Sequence, residues 1–595
     1  MAEIKGMSEE LYKIRHSLAH VLAQAVQSFY PDVKLGIGPP ISTGFYYDFV
    51  FSEPITEEDL KKIEKKMKHI LKSKQVFERF ELGGEEAIKF LEERGESYKV
   101  ELCQEFIDAG EAISFYENGP FVDMCEGPHV EKVREIPKAF KLDSIAGAYW
   151  RGDEKNIMMT RIYGLAFETR EELQMFEKRR KLAMERDHRK LGKQLNYFTI
   201  TDEIGKGLPL WLPNGAAIRD SLEDFARETE FRYGYERVHT PHITRGELYH
   251  ISGHLPYYKD SMYPPMVLED EEYYLKPMNC PHHHLIFRSV VQSYRELPLR
   301  LAEYGQVYRF ERSGELAGLL RVRGMSMNDA HIYTDEANLR QELVNVMEMH
   351  KYYYDLFGLE NYWVRLSVHD PDNDKFVENV DEWEKSVAYL RQILTELEIP
   401  FEEVPGEAAF YGPKIDFQVS NVLGREETAS TNQLDFTSGH RFGLEYTNPE
   451  GGKSVPYIIH RAPLGTHERF ISFLIEHYGG AFPTWMAPKQ VRILPVASEY
   501  FEYAEQLRAE LHSKMVRVEV DNSTDTFGKK IRNGAVDKIP NLLIVGEDER
   551  STNTVSHRRY GQREQNTLPF AEFVSWIQDE IRERRSSQPA NPFTL

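Results

Sequence analysis

The chain has 595 residues, 41% hydrophobic and 29% charged, and its 96 acidic side chains outnumber 74 Lys and Arg for a formal charge of −22. That length exceeds one core and predicts about three or four domains. The acidic balance excludes a nonspecific polyanion binder, whose affinity needs massed Lys and Arg, although local basic patches can still grip a large nucleic acid. No run reaches the roughly 18–20 apolar residues of a membrane helix. The start, MAEIKGMSEELYKIR, has no apolar signal core. Three cysteines cannot build a disulfide framework, so a reducing cytoplasm is the expected location.

Residues 1–167 mix amphipathic helices, expected over 11–29 and 57–73, with short strands and Gly/Pro turns. On the first helix His16 and His20 lie one turn apart and share a face. Downstream, DMCEGPH repeats the spacing with Cys125 and His129. A zinc protease would need a glutamate beside its first histidine as base, and Ser17 stands there, which excludes that chemistry. Two readings of the four side chains are left at this point: a metal set, or a histidine cluster packed under a helix. Residues 168–194 are charge-dense and free of proline, which predicts a bridging, partly solvated helix. A large aromatic and β-branched region follows over 195–488. From 489 to 595 the short apolar runs VRILPV, VRVEV and NLLIVG alternate with helical stretches, predicting an α/β domain with a mostly parallel sheet and a short polar tail. The fold class is therefore multidomain α+β and α/β.

Three stretches of the middle region carry chemistry. LAEYGQVYRFERSGELAGLLRVRGMSMNDAHIY reads as a long hairpin. Residues two apart on a strand share a face, which pairs Arg309 with Glu311 and aligns Met327, Asp329 and His331. LKPMNCPHHH holds Cys280, and IIHRAPLGTHERFISFLIEHYGG reads as a strand ending at His460, a turn at Gly465 and a helix with Arg469. Together these resemble the signature motifs of the class II aminoacyl-tRNA synthetases, with Pro241 in the first, Arg309 and Glu311 in the second, and Gly465 and Arg469 in the third. LKPMNCP, FYGPKIDF, QLDF and HRAPLGTHERFI resemble the threonyl branch in particular, and the resemblance spans residues 11 to about 580.

The resemblance implies an amino-terminal α+β editing domain over 1–167, a linker helix over 168–194, an antiparallel-sheet catalytic domain over 195–488 and an anticodon-binding domain over 489–595. It implies ATP, L-threonine and tRNA(Thr) as substrates and a homodimer joined through the first motif, with no membrane and no DNA. Arg309 would take the α-phosphate, Arg469 the far phosphates and Glu311 the adenine end. Arg321 would contact the nucleotide, and Mg2+ would bridge phosphate oxygens. A zinc ion on Cys280, His331 and His460 would receive the threonine amine and hydroxyl, ligands too dispersed to find by spacing alone. Asp329 would anchor the amine, Met278, Tyr411, Lys414 and Gln433 would complete the pocket, and His254 would help deprotonate the tRNA ribose.

A pocket built around a hydroxyl rejects an analogue lacking it by roughly 10⁴–10⁵-fold, whereas a missing methylene is worth only about 1–3 kcal/mol. Valine is thereby excluded and serine leaks through. By the same resemblance His16, His20, Lys99, Asp123, Cys125 and His129 would clear Ser-tRNA(Thr) with an activated water rather than a metal, Lys99 lying in the strand-like ESYKVEL. The chain departs from the family at Met327 and Asn328, where many members carry Gln and Asp, and at Thr428, often Gln; apolar Met327 is expected to compensate by packing against Thr428. No ubiquitin-like domain is expected ahead of residue 1. Lys529, Lys530, Arg532 and Arg558 are the basic candidates for anticodon contact. The rivals are an enzyme of this fold for another amino acid, a nonenzymatic RNA-binding relative, and a zinc hydrolase centred on the first motif.

Overall fold

The computed structural model describes residues 7–291, 293–359, 362–370, 380–420 and 426–585. They form two compact units, Met1–Arg180 and Lys181–Leu595.

In the first unit, Ser8 caps the helix Glu9–Gln27 by accepting from the Leu11 N–H at 3.1 Å. The buried face of that helix, including Leu18, Val21, Leu22 and Ala25, packs on the strand Gly44–Val50. That strand belongs to an antiparallel sheet with Lys34–Leu35, Pro40–Ile41, Met158–Ala166 and Phe140–Tyr149. The helix Glu57–Ile70 buries Leu60, Ile63, Met67 and Ile70, the three- and four-residue spacing of an apolar stripe. A second sheet joins Glu78–Leu82, Ile113–Asn118 and Phe121–Met124. Lys99, expected on a strand, lies in the helix Ser97–Asp108. Its neighbours Tyr98, Val100 and Leu102 alternate as a strand would, but burial falls on Glu96, Lys99 and Cys103, a helical period that tertiary packing selects.

The single bridging helix expected over 168–194 is two helices, Arg170–Arg186 and His188–Gln194. The break is at Asp187, whose carboxylate accepts the Arg189 N–H at 2.8 Å and starts the second helix as an N-cap.

The second unit is built on an eight-stranded sheet. Its order is Glu236–Arg237, Leu299–Tyr308, Gly324–Thr334, Tyr457–Ala462, Glu426–Asp435, Lys414–Ser420, Tyr362–Val368 and Phe401–Pro405. The interior pairs are antiparallel and the two edge pairs parallel. The helices Pro213–Arg232, Glu336–Phe357 and His467–Tyr478 contribute Ile218, Phe225, Phe357 and Ile471 to one core with the sheet. Register decides the rest: Leu301 lies opposite His331, His331 opposite His460, His460 opposite Gln433, and Gln433 opposite Lys414. Directly opposite residues share a face, so one row across five strands sets out four of the expected pocket residues.

Beyond it, Val518–Val520, Val491–Pro495 and Asn541–Val545 are parallel, whereas Thr554–Arg559 and Gln565–Pro569 run antiparallel. The sheet is thus mixed, not mostly parallel. The connection after Val545 holds only the short helix Glu547–Thr552 and reverses at Asn553 in the left-handed region. It is too short for a parallel crossover, which takes a dozen or more residues. Among the described residues no helix is long and apolar enough to cross a membrane.

Candidate functional site

The face carrying the row opens into a cavity of about 240 Å³ lined by Met278, Cys280, Arg309, Glu311, Arg321, Asp329, His331, Tyr411, Gln433, His460 and Arg469, among others. Arg309 and Glu311 were expected as strand neighbours, but the strand stops at Tyr308. Both sit in the connection that follows, where the Arg309 N–H donates to the Arg323 carbonyl at 2.9 Å and Arg321 Nε pairs with Glu311 at 2.7 Å. The Nε of Arg309 is buried with no hydrogen-bond partner among the described residues, a guanidinium donor suited to an anion. Gly465 turns the chain into the third-motif helix at φ +52, and a Cβ there would lie 2.6 Å from the Ala429 carbonyl. Only glycine fits that turn. It sets Arg469 in the first turn of His467–Tyr478, with its Nε on the Leu320 carbonyl at 3.0 Å.

Cys280 opens the helix Cys280–Val290, and its sulfur and one nitrogen each of His331 and His460 lie within 4.8 Å of one another, all three residues buried. One thiol and two imidazoles converging on a cavity fit a zinc ion that keeps a position for substrate. Burial, then Asp329 and Asp435, raises the Cys280 thiol, and burial holds the His331 imidazole neutral. Behind them stand groups that spacing did not reveal. His460 Nε2 lies 2.9 Å from Asp435, His331 Nδ1 lies 2.8 Å from His283 Nδ1, and His283 Nε2 lies 3.3 Å from Glu303. Asn279 donates to Asp329 at 3.0 Å. The only cue to His283 was the histidine run directly after Cys280.

His254 and Lys414 stand beside the cavity. The buried imidazole of His254 is lowered to about 4 by burial and by Arg309, and its Nε2 lies 3.1 Å from Met278 Sδ. The Lys414 ammonium is turned to Asp416 at 2.9 Å. Tyr411 donates its hydroxyl to Gln433.

The first unit gathers a second set. His16, His20, Cys125 and His129 each bring one donor atom within 4.8 Å of the others. Cys125 Sγ lies 3.2 Å from His16 Nε2 and 3.4 Å from His129 Nε2. The serine that excludes a protease holds the ring: Ser17 Oγ meets His129 Nδ1 at 3.1 Å and accepts the Val130 N–H at 3.1 Å. Lys99 and Asp123 pair at 2.8 Å, Tyr47 donates to Asp123 at 2.5 Å, and His20 Nε2 lies 3.8 Å from the same carboxylate. Burial lowers His16 to about 4, lowers His20 and His129 well below the ordinary imidazole value, and raises the Cys125 thiol, with help from Asp123, to about 12. The cluster is therefore three neutral imidazoles around a protonated thiol.

Residues 266–478 match the tRNA synthetase class II core domain (G, H, P, S and T), 490–580 the anticodon binding domain, and 113–163 the threonyl and alanyl tRNA synthetase second additional domain. The threonine--tRNA ligase of Geobacillus kaustophilus is 47% identical over 584 residues, covering 98% of this chain and 89% of that protein. That of Gloeobacter violaceus is 47% identical over 585 residues, covering 97% and 93%. The chain belongs to the threonyl-tRNA synthetases. Among solved structures, the RNA binding domain of threonyl-tRNA synthetase from Cryptosporidium parvum aligns with TM-score 0.64 and 34% identity, over 67% of this chain and 99% of that one. Prolyl-tRNA synthetase from the same organism, at 17% identity and TM-score 0.51, shares the fold.

Thr428 and Met327, two departures from the synthetase pattern, have these surroundings. Thr428 Oγ1 accepts from the amide of Gln418 at 2.8 Å, directly across the strand pair. Met327 packs with Val307, Val322 and Met325 at the rim of the cavity. Of the basic candidates in the carboxyl-terminal region, Lys530 is buried, with its ammonium donating to the Asp521 carbonyl at 2.9 Å, and is not a surface for RNA. An ammonium in that setting satisfies the chain's own carbonyls. Lys529 pairs with Asp525, Arg558 donates to the Gln562 carbonyl, and Arg532 is exposed.

Proposed function

We propose that this synthetase activates L-threonine with ATP, transfers it to tRNA(Thr), and hydrolyses Ser-tRNA(Thr) at the histidine cluster of its first unit. One observation carries the reading: Cys280, His331, His460, Asp329 and Gln433 converge on the same cavity as Arg309, Arg321 and Arg469. An amino-acid pocket with amine and hydroxyl partners therefore adjoins three guanidinium groups suited to a triphosphate.

In this reading Arg309 neutralises the charge that builds on the α-phosphate, Arg469 holds the far phosphates, and Arg321 with Glu311 orients the adenosine of Mg2+-ATP. Asp329 accepts from the threonine amine, steadied by Asn279, and Gln433, Tyr411 and Met278 close the pocket. When bound to Cys280, His331 and His460, a zinc ion supplies a Lewis acid for the amine and hydroxyl. His254, beside Met278 at the edge of the cavity, is the proposed base for the tRNA ribose. In the first unit a thiol held protonated argues against a cysteine nucleophile, and neutral imidazoles suit the positioning of water. The convergence of four donor atoms there favours a metal as the second reading.

The domain limits proposed are 1–167 for editing, 168–194 for the linker, 195–488 for catalysis and 489–595 for anticodon binding. A cytoplasmic homodimer joined through the first motif completes the proposal. Threonine-dependent ATP–pyrophosphate exchange, measured alongside zinc content per chain, tests it. Exchange with one zinc per subunit supports the reading, and threonine-independent behaviour refutes it.

A further inference from the structure

The helix His188–Gln194, outside the cavity, holds the loop that carries Arg321. Its first residue, His188, is 2% exposed. The Nδ1 of His188 lies 2.8 Å from Glu476 Oε1, and its Nε2 accepts the backbone N–H of Leu319 at 3.1 Å. A carboxylate can only accept, so Nδ1 carries the proton and Nε2 presents a lone pair. One residue further on, the Leu320 carbonyl is taken by Arg469 at 3.0 Å. The stretch just before Arg321 is thus gripped by its N–H from one side and its carbonyl from the other. Both grips run through one helix, His467–Tyr478, which bears Arg469 at its start and Glu476 near its end. The loop is shaped for this contact: Gly318 sits at φ +54, and a Cβ there would fall 2.3 Å from His188 Nε2.

We propose that His188 is a positioning residue for the nucleotide. Oriented by Glu476, it holds the Leu319 backbone so that Arg321 and Arg469 face ATP in one fixed arrangement. The inference rests on the reading above, in which those two arginines meet the nucleotide.

The test uses the full-length enzyme with His188→Ala, His188→Gln and Gly318→Ala, reading ATP affinity by equilibrium titration and KM for ATP and for threonine in the exchange assay. Gln places an acceptor at about the reach of Nε2, whereas Ala leaves the Leu319 N–H unmade. His188→Ala is expected to weaken ATP binding roughly ten- to hundred-fold, the scale at which a small misplacement of binding groups is felt. KM for threonine should stay within about twofold, and His188→Gln should recover most of the ATP affinity. Gly318→Ala keeps the imidazole but sets a Cβ 2.3 Å from His188 Nε2 and 2.7 Å from Arg189 Cγ at a left-handed position, so it displaces the loop from His188 and should reproduce the ATP loss even if His188→Ala folds poorly. Unchanged ATP affinity in Gly318→Ala and His188→Ala overturns the inference. So does a parallel rise of both KM values with no rescue by Gln, which would mark a general packing role. Direct titration reads ATP whichever amino acid is activated, so an absence of threonine-dependent exchange in the unaltered enzyme would count against the proposed function and not against His188.

Discussion

Lys99 and Asp123 form an ion pair at 2.8 Å with each side chain only 4% exposed, and the same carboxylate takes the Tyr47 hydroxyl at 2.5 Å. Removing one partner of a buried pair strands the other charge, at a cost of about 3–5 kcal/mol. Lys99→Met should therefore lower the unfolding midpoint of the first unit and abolish hydrolysis of preformed Ser-tRNA(Thr). The double change His16→Ala with His20→Ala should also abolish that hydrolysis while threonylation stays near the unaltered level, because the two units have separate cores. Hydrolysis that persists in the double variant would return the cluster to a packing role. Loss restored by added zinc would favour the metal reading.

Arg309→Ala should slow adenylate formation by roughly 10²–10³-fold, as removal of a preorganised charge contact commonly does. Single-turnover kinetics should place the loss in the chemical step with threonine affinity little changed. If threonine affinity alone moved, the Arg309 guanidinium would belong to substrate binding, and its unpartnered Nε would need another explanation.

Acid stability has a named contributor in Glu223. Burial raises its carboxyl, but His467, whose Nδ1 lies 3.1 Å away, and Arg219 prevail and hold it at about 2 against an ordinary 4.5. The folded value lies below the unfolded one, so the unfolded chain binds more protons between the two. The stabilisation is complete above about pH 4.5 and is lost as pH falls toward about 2. Thermal midpoints of Glu223→Gln should therefore lie furthest below the parent at neutral pH, with the gap closing across that window. A gap independent of pH would show that Glu223 contributes through packing alone.

Much of the candidate cavity's lining was legible because its residues sit in local motifs whose register the strands preserve. Met327, Asp329 and His331 share a strand, and His460 lies opposite His331. Positions whose geometry depends on distant partners were not legible. Lys99 reads as a strand until burial on Glu96 and Cys103 makes it helical. Arg309 and Glu311 were placed on a strand that ends one residue too soon, because hairpin ends depend on turn geometry rather than on alternation. Asp435, Glu303 and Glu476 contact histidines between 20 and 288 positions away in the chain, and no spacing rule reaches that far. Lys530 looked like a basic surface because its partner is a backbone carbonyl, which leaves no mark on the side-chain pattern.

In the proposed function one cavity selects threonine by its hydroxyl and leaves serine to a second site. ATP–pyrophosphate exchange with threonine, serine and valine, run on the unaltered enzyme and on Cys280→Ser, tests it most directly. Threonine should be activated well, serine within about two orders of magnitude of it, and valine at least roughly a thousand-fold less well. Cys280→Ser should lose its zinc and nearly all threonine activation together. Valine activated as readily as serine, or full threonine activation in a zinc-free Cys280→Ser enzyme, would rule out selection by a zinc-bound hydroxyl in this cavity.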